Sequence, residues 1–465
     1  MFKETILKVG KAAETGGSII TDGIHQCCYR DLPEVFNEID AFMAQSGEDS
    51  NHCLILRCGN SLPEALLLLW LLFEKRDFLL LPEFEDAHLP QFCKHKLSVS
   101  LDSAAADIRQ PDSYVDILAH SHYRENDGLP TGSGYIFMRT SGSTAAPKLV
   151  RHGPERLFNN AADCVERFGL RSQERIMIPV PIYHMYGLGA AFLPGVIAGA
   201  SINLMARTNI IRYLDREKQF RPDVSFLTPS LCEMFLQARK SAYRHRLVVT
   251  AGDRIATTTF ERFEGKFGKL VNLYGSTELG AIATSTLTDS LETRADGVLA
   301  PMPAVDIRFK KLEILCRHEH GFLDYVDTQG KKVAEPEGGW FQTKDLGKPV
   351  GDRCFKVMGR AGNSINRSGI LVAFAEVESI MEQGIGGVAW VVVVAGDEEN
   401  RRSKRMIACC ELNPHAEVDA RKIRARCFAL MPRHMVPDEV VVMAEIPRLA
   451  NGKFDRKKLA GLFGR

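Results

Sequence analysis

The feature that most constrains this chain is a repeated strand–helix–strand order in its first 250 residues. Residues 53–57 are CLILR, a short apolar strand candidate, and they are followed by Ser61, well placed to cap a helix, with Pro63 in the first turn. The helix is predicted to run to about Phe73, and residues 78–81 form the next strand. Consecutive strands joined by a helix pair in parallel, so the sequence predicts a large α/β domain of several layers. The same alternation recurs near residues 175–179, 200–205, 224–228 and 247–250.

The lengths and the order of the predicted helices and strands change after about residue 360. Shorter helices and strands then alternate over about 100 residues, which is the length of one small domain. The sequence therefore predicts a large N-terminal domain with parallel-rich sheets at residues 1–359, followed by a small mobile α+β domain at residues 360–465. Its expected helices are 375–383 and 419–430, and its expected strands are 389–394, 405–412 and 439–444.

Composition excludes several classes of protein. The 59 basic and 58 acidic side chains leave a net charge of +1, which gives no sign of a nucleic-acid-binding surface. No two of the twelve cysteines form a C-x-x-C pair, so free thiols in a reducing compartment are expected. The strongest apolar run, residues 66–73, is far shorter than the roughly 20 residues that span a bilayer. We therefore expect a cytoplasmic protein without a membrane span.

A turn of small and hydroxylated residues follows a strand candidate at residues 135–138. Residues 140–148 are TSGSTAAPK, in which backbone N–H groups could approach phosphate oxygens while hydroxyls and Lys148 add donors. The segment is not a Walker A loop, because Pro147 stands where that motif has glycine and Leu149 where it has Ser or Thr. Taken alone, it would more often be a polar surface loop than a phosphate site.

A second segment supplies groups that suit a nucleotide. Residues 273–279 are LYGSTEL. Tyr274 offers a ring that can pack on a base, Thr277 a hydroxyl for a phosphate, and Glu278 a carboxylate for Mg²⁺.

Two later segments extend this pattern. Residues 340–347 are WFQTKDLG, which places Asp345 where it could accept hydrogen bonds from ribose hydroxyls, and Arg360 follows Gly359 shortly afterwards. Residues 447–456 are PRLANGKFDR, in which Lys453 follows an Asn-Gly pair and is expected on a tight exposed turn.

Taken together and in this order, these segments resemble the adenylate-forming superfamily of acyl-CoA synthetases, aryl-acid ligases and peptide-synthetase adenylation domains. The order is a phosphate loop, an H-x-x-G segment at residues 184–187, Y-G-x-T-E, the ribose aspartate, G-R and a terminal N-G-K-x-D-R. The resemblance covers roughly residues 50–460. It implies ATP and Mg²⁺ as cofactors, and activation of a carboxylic acid as its acyl-adenylate before transfer to a thiol.

The resemblance also implies a role for each matching residue. Lys453 would bridge the substrate carboxylate and the α-phosphate, although a lysine in a charged tail is often merely solvated. Glu278 would hold Mg²⁺. A hinge within residues 360–363 would let the small domain rotate between the two half-reactions. The nucleotide-binding residues implied are Thr140, Ser141, Gly142, Ser143, Thr144, Lys148, Tyr274, Gly275, Thr277, Asp345 and Arg360.

The acid-binding segment is matched by residues 181–187, PIYHMYG. His184 would act as a catalytic residue that gates the carboxylate, or would be a hydrogen-bonded core histidine. Met185 stands where amino-acid-activating relatives usually have an aspartate, so a buried α-ammonium there would be unpaired at a cost of several kcal/mol. An aryl or medium acyl acid is therefore favoured over an amino acid. The slot for it would be built by Met185, Tyr186, Gly252, Tyr274, Gly275 and Ile282.

Two positions depart from the family pattern, because Ala145 and Lys344 stand where relatives usually have glycine. A residue with a Cβ strongly prefers negative φ, so such a replacement can make a loop less accommodating. These departures motivate an alternative from another class, a nucleotide-binding regulatory protein with a degenerate site. Intact Lys453, Glu278 and Asp345 argue against it.

The thiol acceptor is left open by the sequence. The ending N-G-K-x-D-R-K-x-L resembles the carrier-protein-dependent branch more than the usual CoA-ligase ending, and the region before the phosphate loop is short for the family. Both features favour the phosphopantetheine of an acyl carrier protein, with CoA as a close rival.

Overall fold

The fold is that of a computed structural model, which describes residues 1–12, 17–47, 52–83, 89–100, 107–124, 132–140, 148–206, 209–238, 243–367, 370–396, 405–414, 416–448 and 454–463. We call residues 1–359 the large region and residues 360–465 the small region.

The helices of the described residues are α1 (Phe2–Ala12), α2 (Leu32–Gln45), α3 (Leu62–Phe73), α4 (Pro154–Phe168), α5 (Leu193–Ala198), α6 (Ile210–Phe220), α7 (Pro229–Ala238), α8 (Thr257–Phe267), α9 (Leu291–Ala295), α10 (Phe374–Gly384), α11 (Ala420–Leu430) and α12 (Arg456–Phe463). Short 3₁₀ turns occupy Tyr29–Asp31, Pro111–Ser113 and Arg433–Met435, and Tyr186–Phe192 is π-helical. The strands are β1 (Ile19–Thr21), β2 (Gln26–Cys28), β3 (Cys53–Cys58), β4 (Phe78–Pro82), β5 (Cys93–Val99), β6 (Val115–Ala119), β7 (Ile136–Arg139), β8 (Leu149–His152), β9 (Arg175–Ile178), β10 (Ser201–Leu204), β11 (Val224–Leu227), β12 (His245–Ala251), β13 (Gly268–Ser276), β14 (Gly280–Thr284), β15 (Val298–Pro301), β16 (Val305–Lys310), β17 (Glu313–His318), β18 (Asp324–Val326), β19 (Lys332–Ala334), β20 (Phe341–Val350), β21 (Cys354–Arg360), β22 (Ser364–Arg367), β23 (Ile370–Ala373), β24 (Val388–Gly396), β25 (Arg405–Leu412) and β26 (Glu439–Met443).

Two large sheets form the large region. The first has the order β16-β17-β20-β21-β15-β14-β13-β12-β11-β9-β10-β1-β2, and the second has the order β19-β18-β8-β7-β4-β3-β5-β6. The run from β13 to β1 is parallel throughout, as are β5-β3-β4-β7, while antiparallel strands extend both sheets. Parallel strands covered on both faces need continuous apolar runs, which explains why β11 is buried at every position. The predicted α/β class with parallel-rich sheets is confirmed.

Helix α3 shows how local sequence and packing agree. The Ser61 hydroxyl accepts from the Glu64 N–H, and the Glu64 carboxylate accepts from the Ser61 N–H, a capping box with Pro63 in the first turn. Every residue of α3 is buried, because the helix lies within the main apolar core. A helix that is apolar on all sides is stable only in such a place.

The small region has its own apolar core. Strands β24, β25 and β26 form a mixed sheet, antiparallel between the first two and parallel between the last two. Helices α10 and α11 contribute Val377, Met381, Ile423 and Cys427 to one cluster of buried side chains, while α12 contributes Leu459 to another. The helices and strands expected here from sequence are present, with ends shifted by one or two residues.

Among the described residues, no helix combines the length and apolar character needed to cross a membrane.

Candidate active site

The hairpin of β13 and β14 lies at the centre of the candidate site, because Tyr274 comes from its first strand and residues 277–278 from its turn. The turn is tight, with Gly275 paired to Ala281. A Cβ on Gly275 would lie 2.4 Å from the carbonyl oxygen of Gly280, so only glycine fits there. The glycine of Y-G-x-T-E is thus needed for the backbone of the hairpin.

The predicted metal carboxylate is held by a tyrosine from another sheet. The Tyr325 hydroxyl on β18 donates to Oε1 of Glu278 at 2.8 Å. Lys148, directly before β8, places its Nζ 5.9 Å from the centre of the Tyr325 ring, and β8 pairs with β18. The end of the predicted phosphate loop and the predicted metal ligand therefore meet at one side chain. Burial and the Glu278 carboxylate both raise the pKa of Tyr325, which keeps its phenol protonated as a donor.

A buried histidine fixes the backbone of the same turn. His152 on β8 lies with Nε2 2.8 Å from the carbonyl oxygen of Thr277. Burial lowers the pKa of His152 to about 4, so the ring is neutral at pH 7 and its Nε2–H donates to this oxygen. Thr277 itself is half-buried, with its backbone held on the β8 side.

Asn160 on α4 fixes the strand that leaves the turn. Its side-chain amide donates to the carbonyl oxygen of Ala281 at 3.1 Å and accepts from the Ala281 N–H at 3.0 Å. Its Nδ2 also lies 2.8 Å from Nε2 of His318, whose pKa burial lowers to about 4. Nδ1 of His318 accepts from the His320 N–H at 3.1 Å, so the neutral ring carries its proton on Nε2, which donates to the carbonyl oxygen of Ala281 at 3.1 Å.

The predicted ribose residues come together on two neighbouring strands. Asp345 on β20 is cross-strand partner of Arg360 on β21, and its Oδ1 lies 2.9 Å from Nε of that arginine. The Tyr274 hydroxyl donates to Oδ2 of Asp345 at 2.6 Å. Burial raises the pKa of Asp345, while Arg360 and Tyr274 act in the opposite direction. The base, ribose and metal positions predicted from sequence are thus joined through the β13–β14 hairpin.

Lys344, one of the departures from the family pattern, adopts a left-handed backbone with φ of 59°. Its carbonyl oxygen accepts from the N–H of Ala361 at 2.8 Å, which connects the ribose strand to the predicted hinge. The usual glycine is therefore explained by backbone geometry, and lysine occupies this position at some conformational cost.

The predicted acid-binding segment is held at both ends. The Asn60 side chain donates to the carbonyl oxygens of Ile178 and Val180 and accepts from the N–H of Ile182. A Cβ on Gly187 would lie 2.1 Å from the carbonyl oxygen of Pro181, so the glycine of H-x-x-G allows the chain to fold back on itself.

The residues of the predicted acid slot differ in exposure. Met185 and Ile282 are buried, whereas Gly252 is exposed and has open space in the direction of a Cβ, with φ of 95°. Tyr186 is half-buried, and its single hydroxyl proton is directed at the carbonyl oxygens of Val249 at 2.8 Å and Leu227 at 3.1 Å. Its phenol therefore links β11 and β12. His184 is exposed, with its ring 4.5 Å from that of Tyr183, so the alternative of a buried core histidine is not met.

Part of the predicted site lies outside the described residues. Thr140 follows β7 and is half-buried, and Lys148 is exposed. The predicted residues outside the described ranges are Ser141, Gly142, Ser143, Thr144 and Lys453, together with Ala145.

The described residues can provide part of the ligand set of a magnesium ion. No group of three or more His, Cys, Asp or Glu side chains in the described ranges could hold a metal by itself. Mg²⁺ is usually bound through one or two carboxylates together with substrate phosphates and water. Glu278, whose carboxylate lies beside Tyr325 and near Lys148, provides one such oxygen ligand next to the expected phosphates.

Four residues of the site were not identified from sequence: Asn60, His152, Asn160 and Tyr325. Each acts on a segment more than 40 positions away, so no spacing pattern points to it. The one available signal is chemical, since a histidine or asparagine within a largely apolar segment needs a hydrogen-bond partner.

Comparison with protein families identifies residues 81–321 as a match to the model described as AMP-binding enzyme.

Individual relatives share only low sequence identity with this chain. An indoleacetate–CoA ligase of Aromatoleum aromaticum is 26% identical over 344 residues, covering 70% of this chain and 66% of the relative. An anthranilate–CoA ligase of Pseudomonas aeruginosa is 26% identical over 345 residues with the same coverage. The aligned part thus spans slightly less than two thirds of these relatives. The crystal structure of ATP-bound MatB from Rhodopseudomonas palustris superposes with a TM-score of 0.80 at 18% identity, covering 100% of this chain and 99% of that one.

Proposed function

Because this chain belongs to the AMP-binding enzyme family, we propose that it is an acid–thiol ligase. It activates a carboxylic acid with ATP to acyl-AMP and pyrophosphate, and then passes the acyl group to a thiol. The observation that carries this proposal is the arrangement around the β13–β14 hairpin, where Glu278 meets Tyr325 and Tyr274 meets Asp345. The large region provides the ATP and acid sites, and the small region provides Lys453.

In the first half-reaction, an oxygen of the acid attacks the α-phosphorus of ATP, and the bond from that phosphorus to the bridging oxygen breaks. Pyrophosphate leaves with the negative charge that develops. Positioned cations therefore supply most of the rate acceleration. Lys453 is assigned to the attacking carboxylate and the α-phosphate, and Lys148 to the departing phosphates.

Binding of the nucleotide uses residues already in place. Tyr274 packs against the base, while Asp345 and Arg360 receive the ribose hydroxyls, with one hydrogen bond of Asp345 exchanged for a ribose hydroxyl. Thr277 contacts phosphate. Mg²⁺ held by Glu278 would neutralise phosphate charge when bound.

In the second half-reaction, a thiol sulfur attacks the acyl carbon of the adenylate, the bond to the AMP oxygen breaks, and the thiol proton passes to solvent. The related ligases named above use CoA, which makes CoA the favoured acceptor. The carrier-protein ending seen in the sequence keeps a carrier-bound phosphopantetheine as the second acceptor.

An aryl acid is the favoured substrate class. Met185 and Ile282 present apolar side chains, and the relatives named above act on indoleacetate and anthranilate. An α-ammonium beside Met185 would lose its hydration without gaining a partner. His184 is exposed, so a role in gating the carboxylate requires it to contact a bound acid.

ATP–pyrophosphate exchange tests the proposal directly. Purified protein is assayed with a panel of aryl, medium-chain acyl and amino acids, and exchange with one aryl or acyl class is expected. Exchange with an amino acid alone would show that the apolar reading of the slot is wrong. ATP binding without exchange across the panel would favour the regulatory alternative.

A matched pair of lysine variants assigns the chemistry. Lys453→Ala should abolish exchange while leaving the melting temperature unchanged. Lys457→Ala removes an exposed lysine four positions away and should leave exchange within twofold. Equal loss in both variants would remove the special role of Lys453. Incubation of active protein with CoA or a phosphopantetheinylated carrier then identifies the acceptor by thioester formation.

A further inference from the structure

Contacts between the large and small regions converge on the loop that borders the acid slot. Gly252 is followed by Arg254, whose guanidinium donates to Oε2 of Glu382 on α10 at 2.7 Å. At the first residue of α8, the Thr257 hydroxyl accepts from the Gln383 side chain at 2.9 Å. The wall of the acid slot and the docking surface for the small region are therefore the same short segment.

Glu382 is the buried member of this ion pair. Its side chain is 7% exposed, whereas that of Arg254 is 34% exposed. Its other oxygen accepts from the Val391 N–H at 3.1 Å within the small region. Burial raises the pKa of Glu382, and Arg254 acts against that shift. Without Arg254, a largely buried carboxylate would lose its charged partner at the junction, which disfavours docking.

Neighbouring carboxylates make this arginine more important. Glu378 lies one turn before Glu382 on α10, and Arg456 binds it with two hydrogen bonds. Burial raises the pKa of Glu233 on α7 of the large region, Arg448 of the small region lowers it and Glu382 raises it further, so this carboxyl group also lies near the junction. Negative charge is thus present on both sides of the junction, and Arg254 is a large-region cation that pairs across it beside these carboxylates.

The residues on either side of the segment that contains Lys453 are attached to the small region. Arg448 and Phe454 form an antiparallel bridge across the five residues that contain Lys453. The guanidinium of Arg448 lies 4.2 Å from the ring of Phe454 and 5.3 Å from that of Trp390 on β24. The two described residues that flank the Lys453 segment, Arg448 and Phe454, are therefore packed together within the small region.

We propose that Arg254 is a positioning residue for adenylation, which through its ion pair with Glu382 docks the small region, the region that contains Lys453, against the segment that borders the acid slot. This inference rests on the proposed function. Arg254 acts on the step that needs Lys453, and it is not required for thioester formation from an adenylate that is already present.

The test compares two ion pairs that cross the same junction. The second pair, Lys348 with Glu376, is separated by 3.7 Å, and its side chains are 49% and 32% exposed. Arg254→Met should lower the kcat of pyrophosphate exchange about tenfold, the effect of one charge-assisted hydrogen bond, with little change in the KM for ATP. Lys348→Met should change kcat less than twofold, because exposed pairs contribute little.

Two readouts separate positioning from a general structural role. Thioester formation from supplied acyl-adenylate should stay within threefold of the parent in Arg254→Met. The conservative variant Arg254→Lys, which keeps a cation beside Glu382, should retain at least a third of the parent exchange rate. Equal loss in both half-reactions, an Arg254→Lys variant as slow as Arg254→Met, or parent-like exchange in Arg254→Met would each overturn the inference.

Small-angle scattering tests docking without any activity. Arg254→Met should increase the radius of gyration, whereas Lys348→Met should not. If the parent shows no exchange with any acid, the proposed function has failed. The scattering comparison then tests, independently of activity, whether Arg254 docks the small region. Identical scattering curves for the two variants would refute that role.

Discussion

The strained backbone at Lys344 gives a prediction whose size can be worked out from the structure. Lys344 has a φ of 59°, and its side chain is exposed, so replacement by glycine removes little packing. A left-handed conformation costs a residue with a Cβ roughly 1–2 kcal/mol. Glycine also makes the unfolded chain more flexible than lysine does, and this offsets about 0.4–1 kcal/mol of the gain in stability. Lys344→Gly should therefore stabilise the large region by about 0.8 kcal/mol.

Urea denaturation measures this difference. For a slope of about 3 kcal/mol/M, 0.8 kcal/mol corresponds to a midpoint higher by roughly 0.3 M. Lys344→Ala keeps the backbone cost and removes the charge, so it should give no gain. Lys344→Asn should fall between the two, because asparagine tolerates left-handed φ better than most residues. If Ala stabilises as much as Gly, the cost lies in the ammonium group. If Gly lowers the midpoint, the argument from strain is wrong.

Three further predictions follow from contacts of the site. Tyr325→Phe keeps the ring but removes the donor to Glu278, so pyrophosphate exchange should fall about tenfold with an altered Mg²⁺ dependence, and an unchanged Mg²⁺ titration of ATP binding and exchange would contradict this role. Asn160→Ala removes the side-chain partner of the buried Ala281 N–H, while the Ala281 carbonyl oxygen keeps His318, and should lower the free energy of unfolding by about 1–3 kcal/mol in urea, a result that a loss below about 0.5 kcal/mol would refute. Burial raises the pKa of Glu233 to about 7, so the stability that it contributes is full below its ordinary pKa of 4.5 and is lost as the pH rises through 7. Glu233→Gln should flatten the dependence of the urea midpoint on pH in that window, and an unchanged profile would show that Glu233 does not titrate there.

Local sequence was sufficient to predict the helices and strands, and to predict which chemical groups the site contains. Ser61 and Pro63 predicted the start of α3, and the capping box is present. The alternation of apolar strands and helices predicted the layered α/β class, because pairing in parallel requires crossover connections. The family pattern also directed attention to Lys344, since a position that relatives fill with glycine indicates a backbone that needs positive φ.

The order of the strands in the sheets decided what sequence could not show. Tyr325 meets Glu278 because β18 pairs with the distant strand β8 as well as with β19, the next strand in sequence, and His152 reaches Thr277 across 125 positions. Arg254 likewise meets Glu382 across 128 positions. Periodicity and caps describe interactions within a few residues, whereas these contacts depend on which distant segments share a sheet or a junction. The sequence by itself therefore determined the groups available for chemistry, and the tertiary structure determined which of them hold one another in place.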